Sequence, residues 1–300
     1  MRQIGVVVAL VVATAVAGTV TGCGAPQSTH PRPAGSTRPL TQAEELRISD
    51  AQQRLIQHCM KDKGFRYWEA IRLSLEESRN PGYVSDDVDW AREHGYGGRI
   101  RAKEDRARLA NPNGTYRATL TEARRTAYDS ALDEGTGARI VSAELPSGGT
   151  VRKRVGGCVG ESEQRLYGDP ETWFRAEKTV NSLQPLYVPK VLADKRFARA
   201  LTAWSRCMER AGHPYKDPGA ARQAGLRASG TSASAFERER TLAVADATCA
   251  RDTSLRSIGE ERETHYVNLL RGQYGDALDT YARLRRDALA HAERITGPRT

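Results

Sequence analysis

The side chains best suited to chemistry are five cysteines, and their positions divide them one against four. Cys23 follows directly on Val20-Thr21-Gly22, at the end of a charge-free apolar run from Ile4 to Val20 that one cation, Arg2, precedes. A basic start, an apolar middle and small residues before a cut are the layout of a secretory signal peptide. An exported chain meets oxidising surroundings, where an even number of thiols reads as a disulfide framework. Cys59, Cys158, Cys207 and Cys249 are therefore expected to form two bridges. Metal ligation by these thiols is not expected, because no pair has the close spacing of a zinc site and only His58 adjoins a cysteine. No cofactor is expected either.

The Val-Thr-Gly-Cys order resembles the lipobox of bacterial lipoproteins. The resemblance implies that Cys23 receives a diacylglycerol and becomes the new N-terminus, fatty-acylated with palmitate or a similar chain. Residues 1–22 are then the signal peptide, and the location is the extracytoplasmic face of the cell membrane. The membrane lipid held through Cys23 is the first expected partner. The apolar run is slightly short for a spanning helix, which needs about 20 residues; an uncleaved anchor and plain secretion are the other two readings.

Other reactive constellations reduce to structural ones. There is no G-x-S-x-G, H-E-x-x-H or S-x-x-K arrangement. His94, in Glu93-His94-Gly95-Tyr96, is the foremost functional imidazole, while His30 lies in the tether. Glu76-Glu77 and Glu260-Glu261 read as exposed helix faces. Asp86-Asp87-x-Asp89 lacks the glycine and the closing Glu of a calcium loop and suits a helix N-terminus. The glycines around Tyr96 follow no strand and open no helix in this reading, which excludes a phosphate loop. No catalytic residue is named. The net charge of +9 comes mainly from Arg, with Lys occurring eight times, interleaved with acids along the chain. Outside the cell such a balance suits anionic lipid or wall polymer, or is simply a solvated face rich in Arg, the reading its dispersal among acids favours; nucleic acid is not an expected partner, since no binding signature accompanies the charge.

The elements that must position the cysteines follow from periodicity and punctuation. Residues 23–40 carry four prolines and no apolar repeat, a disordered tether behind the lipidated Cys23. Thr41-x-x-Glu44 opens a helix with Ile48, Ala51, Leu55, Cys59 and Met60 on one stripe and Gly64 at its end. A second helix is expected over 69–78, stopped by Asn80-Pro81-Gly82, and a short one begun by Asp86-Asp87-x-Asp89 and ended by Gly95-Tyr96-Gly97-Gly98. Asn111 to Gly114 reads as a turn, and Thr119-x-x-Glu122 as a capping box for a helix closed by Gly135. Residues 138–145 and 150–155 flank Pro146-Ser147-Gly148-Gly149, the one hairpin signal, which leads into Gly156-Gly157-Cys158 and a short helix to Tyr167.

Residues 171–183 read as a helix broken by Pro185 and Pro189. Asp194 caps a strong helix carrying Phe197, Leu201, Trp204 and Met208 up to Gly212. Residues 217–231 read as a polar connection. Ser234-x-x-Glu237 opens a last helical block reaching Ile295, able to bend at Gly259, Gly272 and Gly275. Within it Leu270, Tyr274, Ala277, Tyr281, Leu284 and Ala288 make a heptad-like seam, an expected partner-binding face.

Cys-Met-x3-Gly-x2-Tyr occurs twice, from Cys59 to Tyr67 and from Cys207 to Tyr215. Cys158-x6-Arg165-x2-Gly168 likewise parallels Cys249-x6-Arg256-x2-Gly259. These matches suggest a duplication within residues 41–300, with halves 41–183 and 184–300; chance is the alternative. Four cysteines allow three connectivities, and a duplication would favour Cys59–Cys158 with Cys207–Cys249. Together with Arg165-Leu166-Tyr167-Gly168-Asp169 and Trp204-x2-Cys207-Met208, the repeated pattern resembles a family of uncharacterised secreted lipoproteins of actinomycetes. That resemblance implies location and disulfides, and no activity.

The expected fold is mainly α: a disulfide-stapled helical domain with one small β-hairpin, about 138–155, and a long C-terminal helical block. The expected function is an extracytoplasmic, membrane-anchored lipoprotein with a non-catalytic binding or accessory role, whose partner is an envelope or export-machinery protein. A hydrolase of wall or peptide substrate is the alternative. A solute-binding transporter component is disfavoured, since it needs alternating strands and helices.

Overall fold

Thr41 sets the first helix of the computed structural model, α1 (Gln42–Asp62). Its hydroxyl accepts from Glu44 N at 3.3 Å and the Glu44 carboxylate accepts from Thr41 N at 2.7 Å, a closed capping box worth about 1 kcal/mol. The structure describes residues 38–79, 82–135, 137–228, 230 and 232–297. The leader, Cys23, the tether through Thr37 with His30, and Asn80 and Pro81 of the expected helix stop lie outside the described residues.

α1 ends in a turn that the chain repeats. Phe65 N donates to Met60 O at 2.9 Å and Gly64 N to Lys61 O at 2.9 Å, with Gly64 at φ 78°. At the end of α9 (Lys195–Arg210), His213 N donates to Met208 O at 2.8 Å and Gly212 N to Glu209 O at 3.0 Å, with Gly212 at φ 82°. Both are Schellman turns, which need the left-handed glycine. The side chain two residues before each cysteine, Gln57 or Ser205, donates to the carbonyl of Tyr67 or Tyr215 at 3.2 and 2.8 Å. Both methionines are fully buried. The second pair of matches does not fold alike: Cys158 lies in the first turn of α6 (Gly157–Tyr167), whereas Cys249 lies in the last turn of α11 (Ala233–Asp252). Gly168 ends α6, while Gly259 is inside α12 (Leu255–Leu269) against Phe197.

Several local expectations are corrected. Residues 69–78 form no helix beyond a turn at 75–78. Their polar backbone is taken up by side chains instead: Trp68 N and O pair with the Asn113 amide at 2.8 Å each, and Ala70 N donates to Gln53 Oε1 at 3.2 Å. After α2 (Val88–His94), the glycines do open a helix, α3 (Gly98–Leu109). The expected turn at Asn111 is the cap of α4 (Pro112–Thr119), with Pro112 in the first turn, where its missing N–H costs nothing. α5 (Glu122–Asp129) is capped by Thr121, which accepts from Arg124 N, while the Thr119 hydroxyl donates to Tyr116 O.

A π-helical turn, Ser130–Glu134, leads to the hairpin of β1 (Arg139–Glu144) and β2 (Thr150–Val155), antiparallel with Val141 opposite Lys153. Its inner face, Val141, Ala143 and Val155, packs on Phe174 of α7 (Pro170–Asn181). Pro185 and Pro189 do not interrupt the chain but lie within α8 (Gln184–Ala193), Pro185 in the first turn. The expected polar connection is α10 (Pro218–Ala228), where Asp217 Oδ1 accepts from Ala220 N at 2.7 Å. Ser232 rather than Ser234 caps α11, accepting from Ala235 N at 3.1 Å. The last block breaks at Ser254, which has φ 53°, and at Leu270 before α13 (Arg271–Thr296), not at Gly259 or Gly275.

Among the described residues the architecture is therefore mainly α with one two-stranded hairpin. The described residues from Pro39 onward form one compact unit. Its largest core joins α2 and α8 to α12 around Trp204, Phe197 and Leu255. A second region joins α1, α6, α7 and α13, the last helix returning to lie along the first. No helix among the described residues is long and apolar enough to cross a membrane.

Candidate functional site

The four cysteines of the body pair as Cys59–Cys158 and Cys207–Cys249, with Cα atoms 5.5 and 5.6 Å apart. The loops they close, 99 and 42 residues, correspond to about 4.7 and 4.0 kcal/mol in the chain-entropy treatment. The first bridge depends on a close backbone approach. A Cβ on Gly156 would lie 1.9 Å from Glu134 O, and one on Gly157, at φ 57°, would lie 2.6 Å from Leu132 O. Only glycines let the hairpin deliver Cys158 to α1 past the π-helical turn.

Beside the second bridge lies a buried polar network. Glu239, 1% exposed, accepts from Tyr96 N and Gly98 N at 2.9 Å each through one oxygen. It thus neutralises the N-terminus of α3, where free N–H groups favour an anion. Seven residues on along α11, Asp246 is 3% exposed and accepts from the Tyr96 hydroxyl at 2.9 Å and from Trp204 Nε1 at 3.0 Å. Burial pushes Asp246 up to about 6, against the pull of those two hydrogen bonds and the nearby Arg222 charge. Burial, then the Asp246 charge, holds the Tyr96 hydroxyl far above its usual range. A cavity of about 10 Å³ between Asp246, Arg222 and Tyr96 has room for a single water. This network ties α2 and α3 to α9 and α11. Sequence reading missed it, although Glu239 and Asp246 interrupt the stripe of Leu242, Ala243 and Cys249, and a carboxylate on an inward stripe demands a partner.

An open cleft of about 700 Å³ lies between α1, the 70–79 segment and the start of α3. Leu46, Ile71 and Ile100 supply its apolar surface. Arg72 and Arg79 on its rim pair with Asp50 and Asp87 at 2.5 and 2.8 Å, while Arg101 makes no ion pair among the described residues. His94 is not among the lining residues.

Its imidazole instead faces Glu76 and Glu93, with Nε2 3.6 Å and 3.8 Å from a carboxylate oxygen of each. His291 Nδ1 meets Leu166 O at 2.7 Å, and the His265 ring stands edge-on to Tyr266. Glu77 is held ionised by Lys103 and by the Ser74 N–H, its pKa below the ordinary range. Glu261 is likewise lowered, chiefly by Arg196, which it grips at 2.5 and 2.7 Å.

The heptad-like seam faces inward. Leu284 is 7% exposed and Ala288 fully buried against α1 and α6, and the Tyr281 ring stacks on Trp173 of α7 at 5.6 Å. Leu270 and Tyr274 pack on the large core, and Ala277 is half-buried. The seam thus binds the chain to itself, because α13 turns back at Leu270 and meets the first helices instead of projecting.

These features define a class, a mainly α domain stapled by two disulfides. Neither a family model, a curated protein nor a solved structure matches this chain.

Proposed function

We propose that this chain is an extracytoplasmic lipoprotein, anchored through acylated Cys23, with a non-catalytic binding or accessory role at the cell envelope. The observation that carries the reading is the pair of bridges, Cys59–Cys158 and Cys207–Cys249, which leaves every cysteine of the described body oxidised. Such bridges persist in oxidising compartments, and a leader that ends on a fifth cysteine supplies the route there. The resemblance to secreted lipoproteins of actinomycetes agrees with this location. The partner of this role is an envelope or export-machinery protein.

One acyl chain gives only marginal membrane binding, so a diacylglycerol is what makes anchoring stable. The test is fractionation of cells expressing the wild type or Cys23→Ala, with a clickable palmitate analogue in the medium. Wild type carries the label and sediments with membranes; the variant carries none and leaves the membrane fraction. A variant that sediments as firmly as wild type overturns the anchor.

A further inference from the structure

We propose that Glu76, Glu93 and His94 form a binding site for a divalent transition-metal ion of the Zn²⁺ type. Their ligand atoms lie within 4.8 Å of one another. His94 Nε2 is sealed from solvent, in a side chain 15% exposed, and has no hydrogen-bond partner. A polar nitrogen buried without a partner costs about 1–3 kcal/mol. The two carboxylate oxygens that face it stand 3.6 and 3.8 Å away, beyond hydrogen-bond length. Donor atoms around a tetrahedral ion with bonds of about 2.0 Å stand roughly 3.3 Å from each other. Closing the two gaps to the imidazole therefore takes a few tenths of an ångström; the two carboxylate oxygens, within 4.8 Å of each other, belong to side chains 54% and 66% exposed that can swing inward.

The donor set sorts the ions. One imidazole and two carboxylates suit Zn²⁺ and its transition-metal neighbours, whereas Ca²⁺ takes six to eight oxygens and Mg²⁺ an octahedron of them. The ligands come from two elements: Glu76 from the turn after the extended 69–74 stretch, Glu93 and His94 from the last turn of α2. Trp90 already links them, its Nε1 donating to Glu76 O at 3.4 Å and its ring lying 5.0 Å from that of His94. A bound ion would lock this turn onto α2. Three protein donors also leave a four-coordinate ion one position for water or an outside ligand. Glu76 stands seventeen places before Glu93, so no sequence spacing announces the site.

The test uses the untagged chain, disulfides intact, stripped with EDTA and titrated with ZnCl₂, CoCl₂, CaCl₂ and MgCl₂. The expected result is saturable one-to-one binding of Zn²⁺ and Co²⁺, with Co²⁺ quenching Trp90 fluorescence. His94→Gln and the double variant Glu76→Gln/Glu93→Gln weaken Zn²⁺ by at least about a hundredfold, beyond the ten- to hundredfold that loss of an outer-shell partner costs. Glu260→Gln/Glu261→Gln changes neither the quenching nor the affinity. The double variant alters only exposed side chains, so it folds even if His94→Gln does not. Binding that is absent or not saturable, undiminished in the double variant, or equally tight for Ca²⁺ overturns the site.

Discussion

Asp246→Asn should remove one defined component from the pH dependence of stability. Asp246 is sealed between α11, Tyr96 and Trp204, and burial raises its pKa from 3.8 to about 6. Between those two values the folded chain holds a proton that the unfolded chain releases, so stability falls as pH rises through this window and stays low above it. At 1.36 kcal/mol per unit, the shift corresponds to about 3 kcal/mol, present below pH 4 and lost by pH 7. Asparagine keeps the shape and an oxygen for Trp204 Nε1, its amide can donate to the Tyr96 hydroxyl, and it does not titrate. Urea unfolding of both chains from pH 3.5 to 8 measures the difference directly, since all other ionisations cancel. The variant should gain about 3 kcal/mol on wild type between pH 4 and 7, with the change centred near pH 5. A difference that is constant with pH, or that moves the other way, refutes the assignment of an uncharged Asp246 at low pH.

Three further outcomes follow from named contacts. Glu239→Ala strands the N–H groups of Tyr96 and Gly98 and should cost about 2–5 kcal/mol by urea midpoint, whereas Glu239→Gln keeps the acceptor and costs less. Gly225→Ala puts a Cβ 2.5 Å from the Tyr96 ring, and should destabilise by about 1–3 kcal/mol in thermal melts. Replacing Cys207 and Cys249 together with Ala should lower stability by about 4 kcal/mol, and non-reducing peptide maps of that variant should still contain the Cys59–Cys158 link.

The features legible in the sequence were those that short-range chemistry dictates. Thr41 with Glu44, Asp87 before α2, Asp194 before α9 and the glycines after Met60 and Met208 all act within a few residues, and each sits where the pattern puts it. The hairpin is also local, fixed by Pro146 to Gly149 between two alternating runs. Misreadings arose where distant groups satisfied the backbone. The 69–78 stretch has helical composition, yet Asn113 binds the peptide groups of Trp68 just before it and Gln53 that of Ala70 within it, and its start stays extended. α10 looked like a connection because its inward residues, Ala221 and Gly225, are small, a requirement of Tyr96 lying across them. The two buried carboxylates lie 143 and 150 residues from Tyr96, which they share, a separation no local pattern reports. The seam on α13 is as apolar as its spacing indicates, but its occupant is this chain's own α1, α6 and α7.

The most direct test of the account is the mass of the protein extracted from the membranes of its host, alkylated without reduction and digested. The account predicts a first peptide that starts at Cys23 carrying a diacylglycerol thioether, together with linked peptides Cys59–Cys158 and Cys207–Cys249 and no alkylated thiol. A chain that retains residues 1–22, or one recovered with these cysteines alkylated, contradicts it.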